Sequence, residues 1–137
     1  GDAVSPRYDR YFELAKPYAR GAILDIGSGM GAFLARFHGL ADSYDGIDIS
    51  AAAVEKGRQR FPFITFHAAS ASELDDVTGL KDRTFDLIIC SDVIYYLSDA
   101  HKNALLDWID RHLTADGVAL IAAVAEAQVQ KMEKRRR

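Results

Sequence analysis

A chain of 137 residues, 49% of them hydrophobic and 27% charged, has the size and composition of one folded domain, which excludes a disordered or fibrous protein. The net charge of −3 argues against general binding to nucleic acid, and no apolar run is long enough to cross a bilayer. The single cysteine, Cys90, excludes an internal disulfide, and the four histidines lack the spacing of a metal site. No signal-peptide pattern is visible, so the expected location is the cytoplasm.

Strand-like and helix-like segments alternate along the chain. Apolar and β-branched runs predict strands at about 22–24, 63–67, 85–91 and 118–124, and a further strand is expected at about 43–48. Apolar residues at helical spacing predict helices at about 8–19, 30–37, 51–60 and 100–113, a helical turn within 71–80, and a last helix that runs to residue 137. Ser50 is expected to cap the helix at 51–60. This alternation predicts an α/β fold with a doubly wound Rossmann-like parallel sheet, in which a strand order of 3-2-1-4-5 would place the ligand above strands one and four.

The most informative segment is residues 23–31, which read Ile-Leu-Asp-Ile-Gly-Ser-Gly-Met-Gly. A strand enters an acidic residue, Asp25, and three alternating glycines follow, Gly27, Gly29 and Gly31. Glycines let the chain turn sharply and let a ligand approach the backbone, because no Cβ intervenes. A helix after such a loop would direct its free N–H groups at that ligand. The segment therefore predicts a nucleotide-type cofactor site.

Two kinds of cofactor suit this geometry. Gly27 and Gly29, with Ala32 and the later Asp48, satisfy the dinucleotide fingerprint. A dinucleotide would, however, place its pyrophosphate beside Asp25, where two negative charges repel. A cationic ligand would be attracted to the same carboxylate. Asp25 therefore favours a cationic cofactor over a dinucleotide.

The pattern Asp-x-Gly-x-Gly-x-Gly resembles the first motif of the class I S-adenosylmethionine-dependent methyltransferases. Residues 44–50 resemble the second strand of that family, residues 85–97 its fourth strand with the following loop, and residues 113–121 the turn into its fifth strand. Four motifs in the expected order are more specific than one glycine loop. Within the family, the tyrosine-rich loop after strand four is loosely similar to the small-molecule branch that includes nodulation N-methyltransferases.

The resemblance implies a cofactor, S-adenosylmethionine, and a set of contacts to it. Asp48 matches the acid that binds both ribose hydroxyls, and Ile49 matches the apolar residue that packs on the adenine. At the position where the family often has an acid for the adenine amino group, this chain has Ser70, whose hydroxyl or a backbone carbonyl would accept that hydrogen bond. The implied cofactor-binding residues are Tyr11, Asp25, Gly27, Ser28, Gly29, Gly31, Asp48, Ile49, Ser70, Ala71 and Ser91.

The loop after strand four is where the resemblance places the methyl acceptor. Asp92 and Tyr95 are therefore the candidate catalytic residues, with Tyr96 beside them. Tyr8 and Tyr11 of the first helix are expected to fold over the cofactor as part of a lid. The acceptor is expected to be a small molecule that is methylated on nitrogen or oxygen.

The chain is expected to form a single domain, with a helical lid at 1–20, a Rossmann-like core at 21–125 and a C-terminal helix at 126–137. Strands six and seven of the family are predicted to be missing, because no strand pattern is recognised after Val124. Strand five would then be an uncharged open edge. Three explanations compete: the chain is part of a longer enzyme, it self-associates through the strand-five edge, or its last helix covers that edge.

Three functions compete on the sequence alone. The first is an S-adenosylmethionine-dependent methyltransferase that acts on a small molecule. The second is a nicotinamide-dependent oxidoreductase, which uses the same strand–loop–helix unit. The third is a non-catalytic cofactor-binding subunit that requires a partner chain, and the expected loss of the last strands keeps this hypothesis open.

Overall fold

The computed structural model describes residues 6–123 and 128–135, which form a six-stranded sheet with helices on both faces. The helices are α1 (Pro6–Ala15), α2 (Ala51–Arg60) and α3 (Asp99–Arg111). The strands are β1 (Ala22–Ile26), β2 (Ser43–Asp48), β3 (Ile64–Ala68), β4 (Phe85–Ser91), β5 (Leu113–Ala123) and β6 (Gln128–Glu133). Single 3₁₀ turns occupy Lys16–Tyr18, Leu34–Phe37, Leu74–Asp76 and Ile94–Tyr96.

The sheet order is β3-β2-β1-β4-β5-β6, in which the first five strands are parallel. The predicted order 3-2-1-4-5 and the α/β class are therefore confirmed. β2, α2 and β4 begin and end where the sequence predicts. The cap of α2 is also confirmed, since the Ser50 hydroxyl accepts a hydrogen bond from the Ala53 backbone N–H at 3.1 Å.

The prediction that the C-terminal segment is helical is wrong. Gln128–Glu133 forms β6, which pairs antiparallel with β5, from Val118 opposite Glu133 to Ala123 opposite Gln128. A free edge of β5 would present unpaired N–H and C=O groups, and pairing satisfies them. This long-range gain outweighs the weak helical preference of a charged segment. Strand six is therefore present, and the strand-five edge on which the expected self-association rested is occupied within the chain.

The helix predicted at 30–37 also does not form as such. Only the turn Leu34–Phe37 is helical, and it is a 3₁₀ turn. Gly29, Gly31 and Gly39 all have positive φ, so the chain enters and leaves this segment through left-handed turns. Leu34 and Phe37 are fully buried, which shows that packing, not helix length, fixes the segment. The helix at 30–37 that was expected to direct N–H groups at a ligand is therefore replaced by a loop with one 3₁₀ turn.

Two hydrophobic layers lie on the two faces of the sheet. One layer joins α1, the segment around Phe37 and α2 to the sheet, and the other joins α3 and Leu80 to its opposite face. Cys90 is fully buried in the second layer, as predicted, and burial raises the pKa of its thiol to about 12. Covering both faces suits a parallel sheet and leaves its carboxyl-terminal edge for a ligand.

Candidate functional site

A cleft of about 390 Å³ opens at the carboxyl ends of β1, β2 and β4, where the strand order reverses. This is the place at which doubly wound sheets bind ligands. Tyr8 of α1 forms one wall of the cleft. Seven of the predicted site residues line it: Gly27, Asp48, Ile49, Ser70, Ala71, Ser91 and Asp92. A smaller pocket continues from this cleft between Tyr8 and the glycine loop and reaches Asp25, Ser28 and Gly29.

The glycine loop is held against β2 by its backbone. The N–H groups of Gly27 and Ser28 both donate to the Ile47 carbonyl oxygen at 2.8 Å. Gly29 has φ +57° and no atom within 4 Å of the place a Cβ would occupy, so its surface is open towards a ligand. Gly31 differs, because a Cβ there would lie 2.5 Å from Cζ of Phe66. Gly27 and Gly29 thus shape the pocket, whereas Gly31 lies outside its lining and is required for packing.

Asp25 is a buried carboxylate without full compensation. Its side chain lies at the end of β1, the residue is 2% exposed, and its Oδ1 has no hydrogen-bond partner among the described residues. Burial, with a smaller effect from the negative charge of Asp48, raises the pKa of Asp25 to about 7. The neighbouring hydroxyl of Ser28 is also buried without a partner. Such a pair is costly for the empty protein and becomes favourable when a cationic ligand with N–H donors is bound.

Asp48 ends β2 on the opposite side of the loop. Its Oδ1 accepts a hydrogen bond from the Gly29 N–H at 3.1 Å, and its Oδ2 accepts one from the Ser50 N–H at 2.9 Å. Each carboxylate oxygen has a second lone pair for a ligand hydroxyl. The next residue, Ile49, is 77% exposed and lines the same cleft. An oriented carboxylate beside an exposed apolar side chain suits a ligand that carries hydroxyls next to a flat apolar group.

Ser70 lies on the cleft wall after β3, but its hydroxyl has local partners. Its Oγ lies 2.9 Å from the Ser72 Oγ and accepts the Ser72 N–H at 3.2 Å. The Ser70 carbonyl oxygen accepts the Glu73 N–H at 3.0 Å. Ser70 and Ala71 therefore form a small-residue part of the cleft wall, in which the Ser70 hydroxyl and carbonyl oxygen already have partners within the turn.

Asp92, directly after β4, has an unusual backbone and a direct link to α1. It is the one described non-glycine residue with positive φ, at +64°. Its Oδ2 accepts a hydrogen bond from the Tyr8 hydroxyl at 3.0 Å, and Nη2 of Arg7 lies 3.5 Å from the same oxygen. Its Oδ1 has no partner among the described residues. Burial and the Asp92 charge raise the pKa of Tyr8 to about 12, so this tyrosine acts as a neutral donor.

One predicted residue, Tyr11, lies elsewhere than expected, and another, Tyr95, stays untested. Tyr11 is 4% exposed and packs edge-to-face against Tyr8, with ring centroids 5.6 Å apart, so it lies behind the cleft wall and not on it. Tyr95 belongs to the turn Ile94–Tyr96, and its side chain lies outside the described part of the structure. Tyr96 does line the cleft and is 78% exposed. The sequence analysis did not predict that Arg7 lies beside Asp92. The one indication in the sequence is that this cationic residue directly precedes Tyr8.

In residues 6–123 and 128–135, no set of three histidine, cysteine or acidic side chains is arranged to hold a metal ion. None of the helices in this part of the chain is both long and apolar enough to span a membrane.

Comparison with curated proteins finds two relatives at 28% identity over 116 residues. One is a probable non-canonical nonribosomal peptide synthetase, CymA, of Salinispora arenicola, where the match covers 80% of this chain and 1% of the synthetase. The other is an uncharacterized protein of Rickettsia prowazekii, where the match covers 77% of this chain and 44% of the relative. The chain thus spans less than half the length of either curated relative.

Solved structures share the fold. The N-methyltransferase NodS of Bradyrhizobium japonicum, in complex with S-adenosylhomocysteine, matches with a TM-score of 0.75 at 23% identity, over 88% of this chain and 63% of NodS. The amino pentose methyltransferase CalS10 of Micromonospora echinaspora, bound to S-adenosylmethionine, matches with a TM-score of 0.72 at 24% identity, over 88% of this chain and 52% of CalS10. A family model described as a methyltransferase domain matches residues 24–119, from β1 into β5. The chain therefore belongs to the methyltransferase domain family.

Proposed function

We propose that this domain binds S-adenosylmethionine in the cleft and transfers its methyl group to a small-molecule acceptor. The observation that carries the proposal is the buried carboxylate of Asp25, with an unpartnered Oδ1 beside an unpartnered Ser28 hydroxyl. S-adenosylmethionine carries an ammonium and a sulfonium, and a cation is the ligand that such a site lacks. The residues present therefore fit this cofactor.

Each part of the cofactor has matching residues along the cleft. Asp25 and the open backbone at Gly29 suit the cationic amino-acid part, and Asp48 suits the ribose hydroxyls. The exposed side chain of Ile49, opposite Ala71, suits the adenine ring. When bound, the cofactor supplies a methyl group activated by the positive sulfur, so the protein mainly holds donor and acceptor in place.

The acceptor half of the cleft contains Asp92 and Tyr96, and methylation on nitrogen or oxygen is proposed there. The described lining contains no histidine, and the raised pKa of Tyr8 keeps its phenol neutral near pH 7. The chain's own contribution is then to orient the acceptor and to keep its reacting atom close to the cofactor. We also propose that the protein is located in the cytoplasm.

A nicotinamide-dependent oxidoreductase is disfavoured by the same carboxylate, because a pyrophosphate over the loop would meet Asp25 at close range. Membership of the methyltransferase domain family agrees with this choice. The third hypothesis from the sequence, a non-catalytic cofactor-binding subunit, predicts the same cofactor binding as the proposed methyltransferase. A turnover assay distinguishes the two.

Isothermal titration calorimetry with S-adenosylhomocysteine and with NAD⁺ tests the proposal directly. We expect saturable 1:1 binding of the first ligand and no binding of the second. A screen of amines and alcohols with labelled S-adenosylmethionine would then detect turnover. Binding of NAD⁺ alone would overturn the proposal, and cofactor binding without turnover of any acceptor would favour the non-catalytic subunit.

A further inference from the structure

Asp92 is held in a defined place by contacts from two elements, α1 and β5. Its backbone lies at φ +64°, a conformation that few non-glycine residues adopt, and its N–H donates to the Ala122 carbonyl oxygen of β5 at 3.0 Å. The Tyr8 hydroxyl of α1 donates to its Oδ2. Residues held in sparsely populated backbone regions cluster at ligand sites, where the surrounding structure enforces them. These contacts fix the position of Asp92 at the wall of the cleft.

The same carboxylate already has a cation beside it. Nη2 of Arg7 lies 3.5 Å from Asp92 Oδ2, which is an ion-pair distance longer than a good hydrogen bond. Oδ1 is buried and accepts no hydrogen bond from the described residues, whereas the Asp92 side chain as a whole is 22% exposed. An ionised carboxylate accepts up to about four hydrogen bonds, so Asp92 has capacity left for a second cationic partner.

The walls around Asp92 are apolar. Val93, Leu97 and the 78% exposed Tyr96 line this half of the cleft. Across the whole described lining there are two carboxylates, Asp48 and Asp92, and no lysine, arginine or histidine. Charge complementarity therefore favours a cationic ligand group over a neutral or anionic one.

We propose that the acceptor is an amine that binds as its cation, with the ammonium on Asp92 and an apolar body against Val93, Tyr96 and Leu97. Before transfer the ammonium would release one proton to solvent water. The freed nitrogen lone pair would then form the N–CH₃ bond as the S–CH₃ bond of the cofactor breaks and S-adenosylhomocysteine leaves. Arg7 is then an intramolecular competitor for the same carboxylate. The inference rests on the proposed methyltransferase function and narrows its acceptor class from nitrogen or oxygen to an amine. Asp92 is the residue that determines this specificity.

The test uses protein saturated with S-adenosylhomocysteine and a matched pair of probes, 2-phenylethylamine and 2-phenylethanol. Calorimetric titration should give tighter binding of the amine by at least about tenfold, the change expected for one charge-assisted hydrogen bond. Asp92→Asn should remove this preference. Arg7→Gln should strengthen amine binding several-fold, because it removes the competing cation, and should leave alcohol binding unchanged.

The opposite signs of these two variants separate recognition from a structural role, since a merely structural contact would make both variants weaken both probes. Equal affinity for amine and alcohol in the wild-type protein would overturn the inference. Where Asp92→Asn fails to fold, Arg7→Gln decides alone, and unchanged or weaker amine binding in it contradicts the proposal. Titration of S-adenosylhomocysteine into each variant is the control: its failure in the wild-type protein removes the proposed function itself, whereas cofactor binding without amine preference removes only this inference.

Discussion

Replacing Asp25 by asparagine should stabilise the ligand-free protein at pH 8 while it removes cofactor binding. The carboxylate is 2% exposed and its Oδ1 has no partner among the described residues. Burial, followed by the charge of Asp48, raises the pKa of Asp25 from 3.8 to about 7. At pH 8 the carboxylate is therefore ionised in a place that disfavours its charge. Asparagine has nearly the same shape and no charge.

The pKa shift sets the size of the effect. One pKa unit corresponds to about 1.4 kcal/mol, so a shift of roughly three units limits the cost of the charge to about 4 kcal/mol. The buried amide of asparagine retains a desolvation cost of about 1–3 kcal/mol. The net gain in the free energy of unfolding should be about 1–3 kcal/mol. The pKa of Asp25 is higher in the folded state than in the unfolded state, so the folded state binds more protons between pH 4 and 7. The destabilisation by the buried charge therefore develops as the pH rises through this range, and it is absent near pH 4.

Urea denaturation of both proteins at pH 5 and pH 8 measures this difference. The gain from Asp25→Asn should be larger at pH 8 than at pH 5, and titration at pH 8 should show loss of S-adenosylhomocysteine binding. Asp45→Asn is the matched control, because Asp45 is equally buried but paired with Arg83 and His67, and its loss should destabilise the protein by about 3 kcal/mol. Equal destabilisation by both variants at pH 8 would refute the reasoning.

The remaining predictions concern the same cleft. Affinity for S-adenosylhomocysteine should rise with pH between about 6 and 8 as Asp25 ionises, and calorimetry in buffers of different ionisation enthalpy should detect proton release; a flat profile would contradict this. Gly29→Ala should cost about 1–2 kcal/mol in unfolding free energy because φ is +57°, and should also weaken cofactor binding. Gly39→Ala is the control for this variant. Gly39 also has a positive φ, +88°, and no atom within 4 Å of the place a Cβ would occupy, but it lies outside the cleft. Equal loss of cofactor binding in both variants would argue against a ligand over Gly29. Asp48→Ala should weaken S-adenosylhomocysteine binding at least tenfold, by loss of charge-assisted hydrogen bonds of about 1.5–3 kcal/mol each, and unchanged affinity in a folded variant would remove its assignment to the ribose.

Local patterns were sufficient for most of the sheet. β4 is a short apolar run with two isoleucines, so it could be located from its own residues. β2 reads Ser-Tyr-Asp-Gly-Ile-Asp, with one β-branched residue, and it was located by its resemblance to the second strand of the methyltransferase family. The alternation of strands and helices with right-handed crossovers predicts a parallel sheet, and the strand order follows from the resemblance to the methyltransferase family. The glycine loop could be located because its chemistry is local, with Asp25 and the glycines adjacent in sequence.

Long-range contacts decided what the sequence could not. β6 is a strand only because the edge of β5 is available to it, and its own residues carry no strong strand pattern. The segment ending at Phe37 has helical spacing, yet left-handed glycines at both ends leave room for one 3₁₀ turn. The contact of Tyr8 with Asp92 joins residues 84 positions apart, so neither it nor the adjacent Arg7 could be found by reading along the chain.

Asp25 and Asp45 together show why burial alone does not explain the site. Both are 2% exposed, and they lie on adjacent strands of the same parallel sheet. Asp45 accepts hydrogen bonds from Arg83 and His67 at 2.9 Å each, so its charge is compensated within the chain. Asp25 is buried to the same extent, but its Oδ1 has no hydrogen-bond partner among the described residues and its pKa is raised. This fold compensates one buried carboxylate, on β2, and leaves the other, on β1, without a partner for its Oδ1. We therefore propose that the missing partner of Asp25 is a ligand, and the ionised form of the carboxylate favours a cation.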